Sequence, residues 1–259
     1  MIEAVNVYKY FSAGKGAFGG GLIPVKAVDG VTLRIPRSRT LGLVGESGSG
    51  KTTLGKIIAG IIAPDNGEIL VDGKSVYAGG AVDRSALSGL QYIFQDPFSS
   101  LDPKMTVASI VTEGLLVRGA RKADRLKKLR EVLEMVSLTG SSGSRYPHEF
   151  SGGQRQRIAI ARAIAASPSF IICDEPVSSL DVSIQAEILN LLKRIQKELG
   201  LTYLFISHDL SVVEYMADEI AVMFEGKIVE SGCRADVYAH PEHPYTKRLM
   251  SSILTIPQQ

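Results

Sequence analysis

The chain has 259 residues, 45% hydrophobic and 22% charged, with a formal net charge of +2. This composition is ordinary for a soluble globular protein with one large domain or a domain plus subdomain, and its charge argues for neither a nucleic-acid nor an acidic partner. Two cysteines far apart exclude a disulfide framework, and Arg162, Pro168 and Asp174 interrupt the apolar stretches before any reaches membrane-spanning length. Met1-Ile2-Glu3-Ala4 lacks the basic start and apolar core of a signal peptide, so the chain reads as cytosolic.

Residues 1–11 are rich in strand formers and end in Tyr8, Tyr10 and Phe11. Gly14 to Gly21 reads as a glycine-rich loop, and Val25 to Ile35 as a hairpin turning at Asp29-Gly30. Thr40 to Val44 is a short apolar run suited to a buried parallel strand. It leads into Gly45-Glu46-Ser47-Gly48-Ser49-Gly50-Lys51-Thr52, followed by Thr53, and then apolar residues at helical spacing up to a stop at Gly60.

Pro64-Asp65-Asn66-Gly67 predicts a turn, Glu68 to Val71 a strand, and Leu90 to Phe94 a further strand ending at Gln95-Asp96-Pro97. Thr106 to Leu138 is helical in two segments split near Gly119. The second carries a basic run from Arg121 to Arg130. Leu126, Leu129, Val132, Leu133 and Val136 form an apolar face opposite it, so the basic residues read as a solvated face. Ser151-Gly152-Gly153-Gln154 opens a helix to about Ala166. Buried strands follow at Ser169–Cys173 and Leu201–Ile206, with an amphipathic helix over Asp181–Leu199 between them. Ile220 to Glu230 forms a hairpin through Glu225-Gly226.

The stretch Gly45 to Thr52 fits G-x-x-x-x-G-K-[ST], the pattern of a phosphate-binding P-loop. Its flanks supply the strand, glycine loop and helix start that the chemistry requires. Glycines let the backbone wrap a phosphate closely, while amides at the helix start supply positive potential. Lys51 suits the β- and γ-phosphates, and the Thr52 hydroxyl suits Mg²⁺. Three apolar strands end in polar residues, running into the P-loop, Asp174-Glu175 and His208, where an open α/β sheet places its ligand. Asp174 therefore suits Mg²⁺ and Glu175 a base for an attacking water; Gln95 suits water or Mg²⁺. Ser151 explains a helix start as an N-cap, but two glycines after it cost helix stability and leave exposed amides suited to a second phosphate.

Taken in order, Gly45–Thr53, Gln95, Phe150–Gln154, Ile171–Pro176, Ser179-Leu180-Asp181 and His208 resemble the motifs of ABC-type ATPases: Walker A, Q-loop, signature, Walker B, D-loop and switch histidine. The resemblance spans nearly the whole chain. It implies an α/β fold, a P-loop NTPase core with an antiparallel β subdomain and an inserted α-helical subdomain. The expected nucleotide-binding domain is 1–235, with the helical part at about 96–157. It further implies a head-to-tail dimer with ATP and Mg²⁺ between Walker A of one subunit and signature of the other. Phe11 is the candidate to stack on adenine, with Tyr10 second; Thr52, Gln95 and Asp174 are the candidate Mg²⁺ ligands.

Gln95 to Pro103, Arg145 to Phe150 and His243-Pro244-Tyr245-Thr246 look like the oligopeptide, dipeptide and nickel importer ATPases, specifically the F-type member of their pairs. On that resemblance 236–259 is a short C-terminal extension, without the cysteine cluster of many relatives. The implied partners are a second ATPase subunit (a homologous chain or this one itself), two integral membrane permeases and, indirectly, an extracytoplasmic solute-binding protein, with no nucleic acid. The implied place is the cytoplasmic face of the membrane, with the apolar helix surface after Gln95 taking a coupling helix of the permease. The competing reading is a soluble ABC-type ATPase acting on nucleic acid or ribosomes; such relatives carry coiled-coil insertions or paired ATPase domains that are absent here. Cys233, His240 and His243 invite a metal reading, against which the neighbouring prolines favour an ordered loop.

Overall fold

The computed structural model describes residues 1–13, 23–78, 81–96 and 100–251. The Gly14–Gly21 stretch lies outside the described residues. The chain divides into two compact units, Met1–Ser88 with Leu204–Gln259, and Gly89–Tyr203.

The first unit begins with two long strands, β1 (Ile2–Ala13) and β2 (Ile23–Ile35), then β3 (Thr40–Val44) and helix α1 (Lys51–Ile58). Short strands follow: β4 (Asn66–Val71), β5 (Lys74–Ser75), β6 (Tyr77–Ala78) and β7 (Ala81–Val82). β1 pairs antiparallel with both β2 and β4, in a sheet ordered β2-β1-β4-β5. The expected hairpin at Asp29-Gly30 does not form. β2 runs through it as one strand, and the register with β1 jumps from Val7↔Val31 to Tyr8↔Asp29, so Gly30 is a bulge at φ 74. The bulge frees the Asp29 N–H from the ladder to donate to the Gly226 carbonyl at 2.8 Å. A turn-forming dipeptide therefore bends one strand instead of reversing it.

β3 is buried along its whole length, as expected of a parallel strand covered on both faces. It pairs in parallel with β11 (Glu219–Phe224), which forms an antiparallel hairpin with β12 (Lys227–Cys233) through Glu225-Gly226, both at positive φ. α1 seats Leu54, Ile57 and Ile58, each 0% exposed. At about 1.5–3 kcal/mol for each fully buried side chain, this anchors the helix start in place. Helices α6 (Leu210–Met216), α7 (Arg234–Ala239) and α8 (Pro244–Ser251) complete the unit.

In the second unit, β8 (Leu90–Ile93) pairs in parallel with β9 (Phe170–Asp174). Between them in sequence lie α2 (Val107–Val117), α3 (Lys122–Met135) and α4 (Gly152–Ala165). Thr106 caps α2 by accepting from Ser109 N–H, and Gly119 at φ 76 turns the chain into α3, at the split read from the sequence. α5 (Val182–Leu199) ends at Gly200 in the left-handed region, and β10 (Thr202–Ser207) follows, crossing the boundary between units at Leu204. This unit holds the β8–β9 pair and α5 together with α2, α3 and α4.

Candidate functional site

In the first unit the P-loop leaves the carboxyl end of β3. Two of its glycines are dictated by the surrounding backbone. A Cβ on Gly45 would lie 2.1 Å from the Met223 carbonyl oxygen, and one on Gly50, at φ 107, would lie 1.9 Å from that of Ala27. No other residue type fits either place. Gly50 is also the N-cap of α1 and supplies no side-chain cap. The helix thus starts on a glycine that brings no side chain of its own over its first amides, the arrangement that suits an anion.

Lys51 is only 5% exposed, and its ammonium donates to the carbonyl oxygens of Gly45 at 2.7 Å and Glu46 at 2.8 Å. Ser49 Oγ is buried without a hydrogen-bond partner among the described residues. Glu46, Ser47 and Gly48 form the exposed crest of the loop, and Thr52 and Thr53 are half-buried at the helix start.

Also in this unit, Phe11 is 41% exposed near the end of β1, opposite Val25, with the Lys9 ammonium 5.6 Å from its ring. Tyr10 is engaged elsewhere: its hydroxyl donates to Asp29 at 2.6 Å. That bond, with burial second, pushes the Tyr10 hydroxyl up to about 12. His208 follows β10 and is exposed; the next residue, Asp209, caps α6 by accepting from the N–H groups of Ser211 and Val212.

In the second unit, β8 and β9 run side by side and deliver Gln95 and Asp174-Glu175 to the same end of the pair. Asp174 is 2% exposed and accepts from the Tyr92 hydroxyl at 2.7 Å. Burial, and then the Asp174 charge, push the Tyr92 hydroxyl well above its ordinary value, so it stays a donor. The Gln95 amide donates to the Glu175 carboxylate at 2.9 Å. Glu175 has φ 47, the left-handed region that a non-glycine residue rarely adopts. Such strain is held only where surrounding structure over-determines it, here a buried strand before and Pro176 after.

Ser151 is the N-cap of α4, in a reciprocal capping box with Gln154. Gly152 has its nearest neighbour, Leu180 Cδ2, 3.4 Å from where a Cβ would sit; for Gly153 the neighbour is Ile184 Cγ2 at 2.5 Å. The glycine start of α4 therefore packs against the start of α5, where Asp181 is an exposed N-cap making no side-chain cap bond.

Sequence reasoning missed two tyrosines here. Tyr92 reads as one more strand residue, and only its alternation with Ile93 hints that it faces the polar side. Tyr245 stands in the quoted His243-Pro244-Tyr245-Thr246 without a role, yet it accepts a hydrogen bond from the P-loop. Among the described residues no group of three acidic, histidine or cysteine side chains could hold a metal. The turn before α8 is ordered by Glu230, whose carboxylate accepts from the N–H groups of Glu242 and His243.

The sequence profile of the ABC transporter family matches residues 28–178. The chain belongs to that family. The oligopeptide transport ATP-binding protein OppF of Bacillus subtilis is 49% identical over 259 residues, covering 98% of this chain and 82% of the relative. OppF of Streptococcus mutans is 48% identical over 264 residues, covering 98% and 81%. Two solved structures share the fold. A dimeric ATP-binding cassette in a post-hydrolysis state with ADP and Pi aligns at TM-score 0.77, with 29% identity and coverage of 90% and 99%. CbiO1 of Clostridium perfringens, part of an ABC transporter complex, aligns at TM-score 0.77, with 26% identity and coverage of 99% and 95%.

The fold is thus that of the ABC ATPases, and the chain is an ATPase using ATP with Mg²⁺. The residues present fit that nucleotide: a glycine cradle that a Cβ would fill, a helix start on a glycine N-cap, a sequestered lysine and a buried serine hydroxyl without a hydrogen-bond partner among the described residues.

Proposed function

We propose that this ATPase energises a peptide importer, with the site residues acting as follows. The P-loop amides from Gly45 to Thr53 and the Lys51 ammonium hold the phosphates, and Phe11 stacks on adenine. The engagement of Tyr10 with Asp29 supports Phe11 over Tyr10 for that role. Thr52, Asp174 and Gln95 would hold Mg²⁺ directly or support its ligands, and the ion would supply charge stabilisation for the phosphates. Glu175 takes the proton of the attacking water, oriented by Gln95, and His208 donates toward the γ-phosphate. Ser151, Gly152, Gly153, Gln154 and Asp181 act on the nucleotide of a partner ATPase subunit.

The observation that carries the importer reading is the near-half identity, over almost the whole chain, to proteins named for oligopeptide transport. In the second unit, α2 and α3 border a cavity of about 460 Å³ whose lining is mostly apolar, including Leu116, Val117 and Leu126, with Glu113, Lys122 and Arg125 also on its wall. Val117 is 83% and Leu116 55% exposed, an apolar surface that supports docking of a permease segment. No helix among the described residues is long and apolar enough to cross a membrane.

The test is co-expression with the membrane subunits of neighbouring genes. The chain should co-purify with them in detergent and drive ATP-dependent peptide uptake into vesicles, and Val117→Asp should reduce the association. Recovery with ribosomes or nucleic acid, and not with membrane proteins, would overturn the importer reading.

A further inference from the structure

The P-loop is held from behind by the C-terminal helix of its own unit. The Glu46 N–H donates to the Tyr245 hydroxyl oxygen at 2.8 Å. Tyr245 is 4% exposed, and its ring packs on Phe224 with centroids 4.2 Å apart. Arg248, one turn on, lies 5.4 Å from the Tyr245 ring centroid and 4.0 Å from the Glu46 carboxylate. The approach to α8 is itself fixed. Glu230 accepts from the amides of Glu242 and His243, and His243 Nδ1 accepts from the Tyr245 N–H at 3.2 Å.

The geometry of one peptide bond gives this contact its consequence. The plane joining Gly45 to Glu46 carries the Gly45 carbonyl and the Glu46 N–H on opposite edges. Its N–H goes to Tyr245 and its carbonyl oxygen receives the Lys51 ammonium at 2.7 Å. Because the unit is planar and rigid, turning one edge turns the other. The Tyr245 hydroxyl therefore sets the orientation of the carbonyl that aims Lys51.

We propose that Tyr245 is a positioning residue for nucleotide binding, fixing Lys51 through the Gly45–Glu46 peptide and making the ATP site depend on the C-terminal helix. The inference rests on the reading of Lys51 as the phosphate lysine. Without the hydroxyl, the peptide is free to rotate before binding, and ATP must then order it.

The test is a double-mutant cycle on the full chain, with affinity for a fluorescent ATP analogue and nucleotide-free melting as readouts. Tyr245→Phe keeps the ring on Phe224, so melting should hold steady while affinity falls by about three- to tenfold, the size of one hydrogen bond. Lys247→Ala, on the exposed side of the same helix, should leave affinity unchanged. In a Lys51→Ala background, Tyr245→Phe should have no further effect, because the group it positions is gone. Wild-type affinity in Tyr245→Phe, or effects that simply add in the double mutant, would overturn the proposal. Full affinity in Lys51→Ala would overturn the phosphate-lysine reading, and this proposal with it.

Discussion

The Gln95 amide donates to the Glu175 carboxylate at 2.9 Å, joining the ends of two parallel strands, β8 and β9, at the point where the chemistry is assigned. The bond fixes the rotamer of a residue whose backbone is already confined to φ 47. Gln95→Ala should therefore leave Glu175, the proposed base, in place but unaimed. Hydrolysis should fall by about 10–100-fold, the cost of a misplaced catalytic group, while ATP affinity stays within threefold of wild type. Phosphate release and calorimetry on the same preparation check both halves, and an equal loss of affinity would assign Gln95 to ground-state binding.

Lys51→Ala should weaken ATP binding by about 1.5–3 kcal/mol, the loss of one charge-assisted contact. The ammonium is nearly buried against two carbonyl oxygens, so its position is set before nucleotide arrives. Unchanged affinity by calorimetry would reject Lys51 as the phosphate lysine.

Much of this site was legible in the sequence because each motif residue is tied to a local backbone event. The glycines of the P-loop, the Ser151 N-cap and the strand ending at Asp174 can each be read within a few residues. What escaped was long-range. Asp29-Gly30 has the chemistry of a hairpin turn, but Gly226, far along the chain, takes the Asp29 N–H and keeps the strand running. Tyr245 reaches Glu46 across 199 positions, and Tyr92 reaches Asp174 across 82; no periodicity reports such pairings.

The Tyr10–Asp29 bond gives a pH signature. With the Tyr10 hydroxyl raised to about 12 in the folded chain and near 10 when unfolded, its contribution is complete below pH ~10 and is lost as pH rises to ~12. On the acid side, the Tyr10 bond foremost holds Asp29 below the usual carboxylate range, so that contribution is lost as pH falls below ~4. Denaturant unfolding of wild type and Tyr10→Phe should show a stability gap that is constant at neutral pH and closes between pH ~10 and ~12. A gap independent of pH across that window would contradict the assignment.

Gly152→Asp separates signature function from helix stability. Its Cβ has room, with Leu180 in ordinary contact, and an acidic residue in the first turn of α4 suits the helix. At Gly153 the same change would collide with Ile184 and confuse folding with function. Gly152→Asp should keep monomer ATP affinity within about twofold and abolish ATP-driven association, since a carboxylate then faces a partner's γ-phosphate. Light scattering beside calorimetry reads both, and loss of ATP affinity in the monomer would place the motif on its own chain's nucleotide.

Glu175 is the proposed base, and ATP, once bound but not cleaved, is proposed to hold two ATPase subunits together. Glu175→Gln keeps the size and an acceptor oxygen but cannot take a proton from water at neutral pH. Hydrolysis should fall by about 10²–10⁴-fold with ATP affinity preserved, because Lys51, Thr52 and Asp174 are untouched. Light scattering with ATP, and separately with ADP, alongside phosphate release, is the direct measurement. The variant should be inactive, shift to dimer in ATP and stay monomeric in ADP. Hydrolysis at the wild-type rate would contradict the base assignment, and an inactive variant that stays monomeric in ATP would contradict pairing of this chain with itself.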